Sequence, residues 1–163
     1  MRLEDCKDDI VRVAVSEDQI KERLAQMGEE ISKDYEGESL LVVGVLRGAV
    51  MVVADLVREI SIPLHMDWMA VSSYGASTKS SGVVRILKDL NSDITDMNVL
   101  IVEDIIDTGL TLDYLKQNLE ARGPKSVKIA TFLRKPDAAK VDVPVDYVGF
   151  DIPNEFVVGY GLD

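Results

Sequence analysis

The stretch Asn98-Val99-Leu100-Ile101-Val102-Glu103-Asp104-Ile105-Ile106-Asp107-Thr108-Gly109-Leu110-Thr111-Leu112 decides the fold of this chain. Val99 to Val102 is an unbroken apolar run rich in β-branched residues, the signature of a strand buried on both faces of a parallel sheet. The run stops at two adjacent acids, Glu103 and Asp104. After Ile105 and Ile106 comes a small, hydroxylated loop from Asp107 to Thr111, and then Leu112, Leu115 and Leu119 recur at helical spacing. The order is therefore strand, acidic edge, tight loop, helix N-terminus.

That order has a chemical use. Ligands of open α/β sheets bind beyond the carboxyl ends of the strands. The free N–H groups at a helix N-terminus attract anions. Gly109 lets the backbone turn sharply and lets a phosphate approach it, while Thr108 and Thr111 add hydroxyl donors. Glu103 and Asp104 repel a phosphate, but they suit sugar hydroxyls or a hard cation such as Mg²⁺. A phosphate cradle beside two acids points to a ribose 5-phosphate.

Outward from this centre the strand–loop–helix order recurs. Leu40 to Leu46 reads as a buried strand, followed by Arg47-Gly48-Ala49 and an almost wholly apolar helix from Val50 to Ile60. Upstream, Ile10 to Val15 alternates loosely as a short edge strand. Ser16 and Gln19 form a capping box, and Ile20, Leu24, Met27 and Ile31 give the next helix one apolar face, with Gly37 as its stop. Leu64 to Val71 is a third strand. It carries His65, the lone histidine, to which no role is assigned. A polar loop from Ser72 to Gly82 leads to another strand pattern, Val83 to Lys88. Gly123-Pro124 ends the central helix, and Val127 to Leu133 and Asp146 to Phe150 complete the strands.

The chain has 163 residues, of which 47% are hydrophobic, enough for one domain with a core. Its formal net charge of −11 argues against a general nucleic-acid surface. It also means that backbone amides and a bound cation must offset the charge of a polyanionic substrate. Cys6 is the single cysteine, so no intrachain disulfide can form, and a reducing, cytoplasmic setting is expected. No apolar run approaches the length of a membrane span, and the acidic N-terminus lacks the apolar core of a signal peptide.

Two acids followed by Asp-Thr-Gly-x-Thr after an apolar strand resemble the phosphoribosyl-pyrophosphate (PRPP) signature of type I phosphoribosyltransferases. Glu-Asp-Ile-Ile-Asp resembles the hypoxanthine–guanine branch. Nearly the whole chain, from about Val13 onward, shares the likeness. The resemblance implies one domain over residues 1–163, with a parallel sheet of four or five strands, helices on both faces, and a small hood built from the N-terminal segment and residues 150–163. It implies a pyrophosphate loop at Leu46, Arg47 and Gly48 with a cis Leu46–Arg47 peptide; Ala49 departs mildly from the family's usual glycine. Ser73 and Tyr74 would open a mobile loop that closes over the site. Asp107 would be the general base toward the purine N7 proton. Glu103 and Asp104 would hold the ribose, and Asp107, Thr108, Gly109, Leu110 and Thr111 the 5-phosphate. Lys135, Phe156, Val157 and Asp163 would meet the purine.

The ending Ile-Pro-Asn-Glu-Phe-Val-Val-Gly-Tyr-Gly-Leu-Asp is similar to the family's hood segment, although relatives run on past this Asp with a tail containing Tyr and Arg. Mg²⁺ is the implied cofactor, near Glu103, Asp104 and Asp163. The implied reaction transfers phosphoribosyl from PRPP to N9 of hypoxanthine or guanine. The implied assembly is a homodimer or homotetramer, with no nucleic-acid or membrane partner. A regulator on the same fold, sensing nucleotides and binding nucleic acid, is the alternative that the charge disfavours.

Overall fold

The computed structural model describes residues 2–73 and 84–162. The elements in order are α1 (Glu17–Asp34), β1 (Leu40–Leu46), α2 (Val50–Arg58), β2 (Leu64–Ser73), β3 (Val84–Lys88), β4 (Asn98–Ile106), α3 (Leu110–Glu120), β5 (Ser126–Arg134) and β6 (Tyr147–Asp151). Short helical turns sit at Leu3–Cys6 and Pro136–Ala138. The six strands form one sheet in the order β3-β2-β1-β4-β5-β6. All neighbours are parallel except β2 and β3. The sheet thus has one strand more than the four or five expected, and β3 is an antiparallel edge.

The apolar runs are continuous because both faces of the sheet are covered. Leu40, Val42, Leu100 and Val102 pack on the α1–α2 side. Leu41, Val43, Val99 and Ile101 pack on the α3 side. Each such side chain taken fully from water contributes about 1.5–3 kcal/mol. From the centre of the sheet, α2 carries the chain from β1 outward to β2, and α3 carries it from β4 outward to β5. The two crossovers run in opposite directions and so lie on opposite faces, as right-handed connections require. A crevice therefore opens between the carboxyl ends of β1 and β4.

The expected capping box is present. The Ser16 N–H donates to Gln19 Oε1 at 2.8 Å, and the Gln19 N–H donates to Ser16 Oγ at 3.2 Å. The Arg23 guanidinium donates to the Val148 carbonyl at 2.9 Å, tying α1 to the edge strand β6. Gly37 takes a positive φ of 78° in the turn after α1.

Two further expectations are corrected. Residues 10–15 form no strand. Val11 is 98% exposed, and the segment lies over Leu133 and the C-terminal residues, where no strand edge offers a ladder. Arg12 pairs there with Glu155, so the two chain ends meet. The second correction concerns β4, which does not stop at the acids. It runs on to Ile106 because β5 continues to pair with it, through Ile105–Leu133 and Ile106–Arg134.

Candidate functional site

Because β4 runs through the acids, the two carboxylates point to opposite faces, as successive residues of a strand must. Glu103 is 9% exposed and borders a cavity of about 240 Å³ with Val45, Val71, Asp107, Gly109 and Thr111. Burial holds the Glu103 carboxyl well above the usual carboxylate range, with the Asp104 charge adding to the effect. Asp104 faces the other way, onto the loop after β1. Its Oδ1 accepts the Ile105 N–H at 2.7 Å. A Cβ built on Gly48 would overlap the Asp104 carboxylate, so a larger residue there requires the carboxylate or the loop to move. Leu46–Arg47 is a cis peptide, as the family resemblance implied. Arg47 is exposed, and the loop is closed by the Val50 N–H donating to the Arg47 carbonyl at 3.1 Å.

The second loop is built by Asp107, Thr108 and Gly109. Gly109 has φ +83° and caps α3. A Cβ there would stand 3.2 Å from the Val141 carbonyl, in a left-handed conformation that an L side chain disfavours. No side chain caps α3 in the usual way. The Leu110 N–H reaches Thr108 Oγ1 only at 3.4 Å. The first amides of α3 thus face the cavity with little internal competition, and the helix dipole favours an anion there. Leu110 and Thr111 sit half-buried in this first turn. From the far side, the Lys140 N–H donates to the Thr108 carbonyl at 2.9 Å, which holds the connection after β5 against the loop.

That connection delivers Lys135. Its backbone N–H donates to the Ile106 carbonyl at 2.9 Å, continuing the β4–β5 ladder one step past the sheet. Its residue is 8% exposed, and its Nζ stands 3.8 Å from Asp107 Oδ2. Asp107 is the more open partner, with 54% of its side chain exposed. Asp107 and Lys135 share a second cavity of about 170 Å³ with Gly109 and Val143. Beside it, Arg134 and Asp151 form a two-pronged ion pair at 2.6 and 3.0 Å between the ends of β5 and β6.

Phe156 and Val157 border a different cavity, of about 610 Å³, between residues 10–15 and the C-terminal segment. Phe156 is 85% exposed, whereas Val157 packs at the edge of the α1–α2 core. The structure therefore brings together Glu103, Asp107, Thr108, Gly109 and Thr111, with Lys135 beside them and Gly48 against Asp104. It does not put Phe156 in the same cavity as Lys135. Tyr74 and Asp163 lie outside the described residues, as does the side chain of Ser73.

The sequence reading missed the residues that hold these parts together. Tyr160 donates its hydroxyl to Asp55 on α2. Its ring lies 5.0 Å from that of Phe132 on β5. Asp55 could have been noticed as the one acid within the otherwise apolar α2 core, between Val50 and Arg58. Nothing in the sequence announces its partner.

Residues 16–163 match the model of the phosphoribosyl transferase domain. The chain is 55% identical over 161 residues to the hypoxanthine-guanine phosphoribosyltransferase of Mycobacterium bovis, covering 95% of this chain and 80% of that one. It is 48% identical over 157 residues to the enzyme of the same description from Bacillus subtilis, covering 96% and 87%. Among solved structures, the hypoxanthine-guanine phosphoribosyltransferase of Bacillus anthracis superposes with a TM-score of 0.91 at 44% identity, covering 95% of this chain and 91% of that one. The hypoxanthine phosphoribosyltransferase of Trypanosoma cruzi, in complex with the product IMP, superposes with a TM-score of 0.87 at 39% identity, covering 94% and 86%.

Proposed function

The chain belongs to the phosphoribosyltransferase family, and from that premise we propose that it is a hypoxanthine–guanine phosphoribosyltransferase of purine salvage. It transfers 5-phosphoribosyl from PRPP to N9 of hypoxanthine or guanine, giving IMP or GMP and pyrophosphate. The observation that carries this reading furthest is the pair of Asp107 and Lys135, 3.8 Å apart at the ends of neighbouring strands, beside the uncapped start of α3.

In the proposed mechanism the ribose 5-phosphate takes the amides and hydroxyls from Asp107 to Thr111. Its charge is met by N–H groups already oriented for it. The bond from C1 of the ribose to pyrophosphate breaks with its electron pair on the leaving oxygen. N9 of the purine forms the new bond to C1. The N7 proton passes to Asp107, whose open carboxylate faces the cavity it shares with Lys135. Lys135 donates to the 6-oxo oxygen, and Phe156 and Val157 complete the purine side as part of a hood formed by both chain ends. Ser73, the last residue of β2, and Tyr74 would help to shield the reacting ribosyl cation from water.

Mg²⁺ fits the donor set around Asp104. This is a hard oxygen ligand beside a glycine loop that leaves room for phosphate, and Mg²⁺ uses one or two carboxylates together with substrate phosphates. When bound, the ion neutralises charge that develops on the leaving pyrophosphate. Burial inclines Glu103 toward its neutral form, so the proposal gives it a ribose hydroxyl. Asp163 is the further candidate ligand. Assembly as a homodimer or homotetramer and a cytoplasmic location are part of the same proposal. No helix among the described residues is long and apolar enough to cross a membrane.

The test is an ultraviolet assay with PRPP, Mg²⁺ and each of hypoxanthine, guanine, xanthine and adenine. Turnover of hypoxanthine or guanine and not of adenine is expected. Absence of turnover with all four overturns the reading.

A further inference from the structure

The segment that follows Phe156 and Val157 does not end at the purine side. It turns back across the sheet and lands on the loop after β1. Gly159 and Leu162 close the turn, with the Leu162 N–H donating to the Gly159 carbonyl at 2.9 Å. Between them, Gly161 lies so close to the loop that a Cβ built on it would stand 2.7 Å from the Gly48 carbonyl. Tyr160 sits at the crossing. Its ring packs at a tilt of 51° against that of Phe132, two residues before the end of β5, the strand that delivers Lys135. Its hydroxyl donates to Asp55 on α2, the helix that opens directly from Arg47-Gly48-Ala49. Tyr160 is also one of two non-glycine residues with positive φ among those described, at 53°. A bulky residue avoids that conformation unless its surroundings hold it. One side chain thus touches both the element that carries the purine lysine and the element that carries the pyrophosphate loop.

We propose that Tyr160 and Asp55 are positioning residues that couple the purine side of the site to the pyrophosphate loop, so that binding of one substrate tightens the other. The inference rests on the transfer reaction proposed above. The physical link is a short, continuous path. Seating of a purine fixes residues 156–160, Tyr160 fixes α2 through Asp55, and Gly161 bears on Gly48. A loop held in place no longer has to be ordered when pyrophosphate arrives, and the entropy saved appears as affinity. By linkage the effect runs equally in both directions.

The experiment measures PRPP binding by calorimetry in the presence of Mg²⁺, with and without 9-deazaguanine, a base whose carbon at position 9 resists ribosylation. In the wild type the base should tighten PRPP on the order of tenfold, within the usual range for coupled sites. Tyr160→Phe, which removes only the hydroxyl, should lose most of that factor. Gly161→Ala keeps the hydroxyl but pushes the turn off Gly48, and should lose it as well. Asp55→Asn keeps an acceptor oxygen for the Tyr160 hydroxyl and should retain it.

A merely structural hydroxyl would lower Tm and leave the ratio of the two affinities alone. A Tyr160→Phe ratio within about twofold of the wild type therefore overturns the proposal, whatever happens to Tm. So does a wild type with no coupling. A wild type that transfers no phosphoribosyl group would instead remove the proposed function, and the coupling with it.

Discussion

Gly48→Ala is the most direct test of the loop after β1, because the structure specifies what the added methyl group meets. The new Cβ would overlap the Asp104 carboxylate. Neither side can yield freely. The loop is closed at both ends, by the Ala49 N–H donating to the Val45 carbonyl at 3.2 Å and the Val50 N–H donating to the Arg47 carbonyl at 3.1 Å. Asp104 projects from a stretch of β4 that is still paired with β5, although its pairing with β1 ends at Val102, and its Oδ1 accepts the Ile105 N–H at 2.7 Å. Rotating Asp104 away forfeits that bond, worth about 1 kcal/mol. Moving the loop instead costs about 1–3 kcal/mol, as overpacking usually does. The cheaper of the two sets the cost, about 1–2 kcal/mol, which expressed in PRPP binding corresponds to a rise in KM of roughly 5–30-fold. Steady-state kinetics at saturating guanine would read KM and kcat, and a thermal melt would show how much of the cost falls on folding. At this chain length each kcal/mol lowers Tm by about 2–4 °C. A variant with KM for PRPP within about twofold of the wild type and an unchanged Tm would refute the reasoning, since the methyl group would then have met nothing.

Asp107→Asn should keep PRPP affinity while kcat falls on the order of 10²–10⁴-fold, the usual loss for a general base; single-turnover rates check it, and an unchanged kcat would leave Asp107 as a turn residue only. Lys135→Ala should lower kcat/KM for hypoxanthine and guanine together by about 10–150-fold, the loss of one charged hydrogen bond; wild-type values for both purines would redirect attention to Lys140 in the same connection. Glu103→Gln probes the buried carboxyl through stability. Burial raises its folded pKa well above the ordinary glutamate value, so its contribution to wild-type stability is full only below that ordinary value and falls as pH rises from there toward the folded pKa. That of the neutral amide does not, so Tm of the variant minus Tm of the wild type should grow through that window. A pH-independent difference between the two melts would contradict it.

Local chemistry made much of the architecture readable in advance. Leu40 to Leu46 and Val99 to Val102 are apolar without alternation, which only a strand covered on both faces tolerates. Ser16 and Gln19 specify where α1 begins by satisfying its first amides. Asp107-Thr108-Gly109 marks the loop because glycine alone takes φ +83° beside the Val141 carbonyl at little cost. Each of these signals lies within a few residues of the structure it dictates. Residues 10–15 had the alternation of a strand and formed none, because a strand also needs an edge to pair with, and alternation cannot supply one.

The acids show the same boundary more finely. Residue type alone marked Glu103 and Asp104 as the candidate functional end of β4. That Glu103 is buried toward α3 while Asp104 lies against Gly48 followed only from the extension of the strand by its pairing with β5. The Asp107–Lys135 pair and the Tyr160–Asp55 bond join residues distant in sequence. Propensity, period and capping act over one or two turns of chain, so the sequence by itself determined the elements and the loop between β4 and α3. Contacts across the sheet depend on strand order and on which face each helix takes. Those are properties of the whole packed core, and the tertiary structure alone decided them.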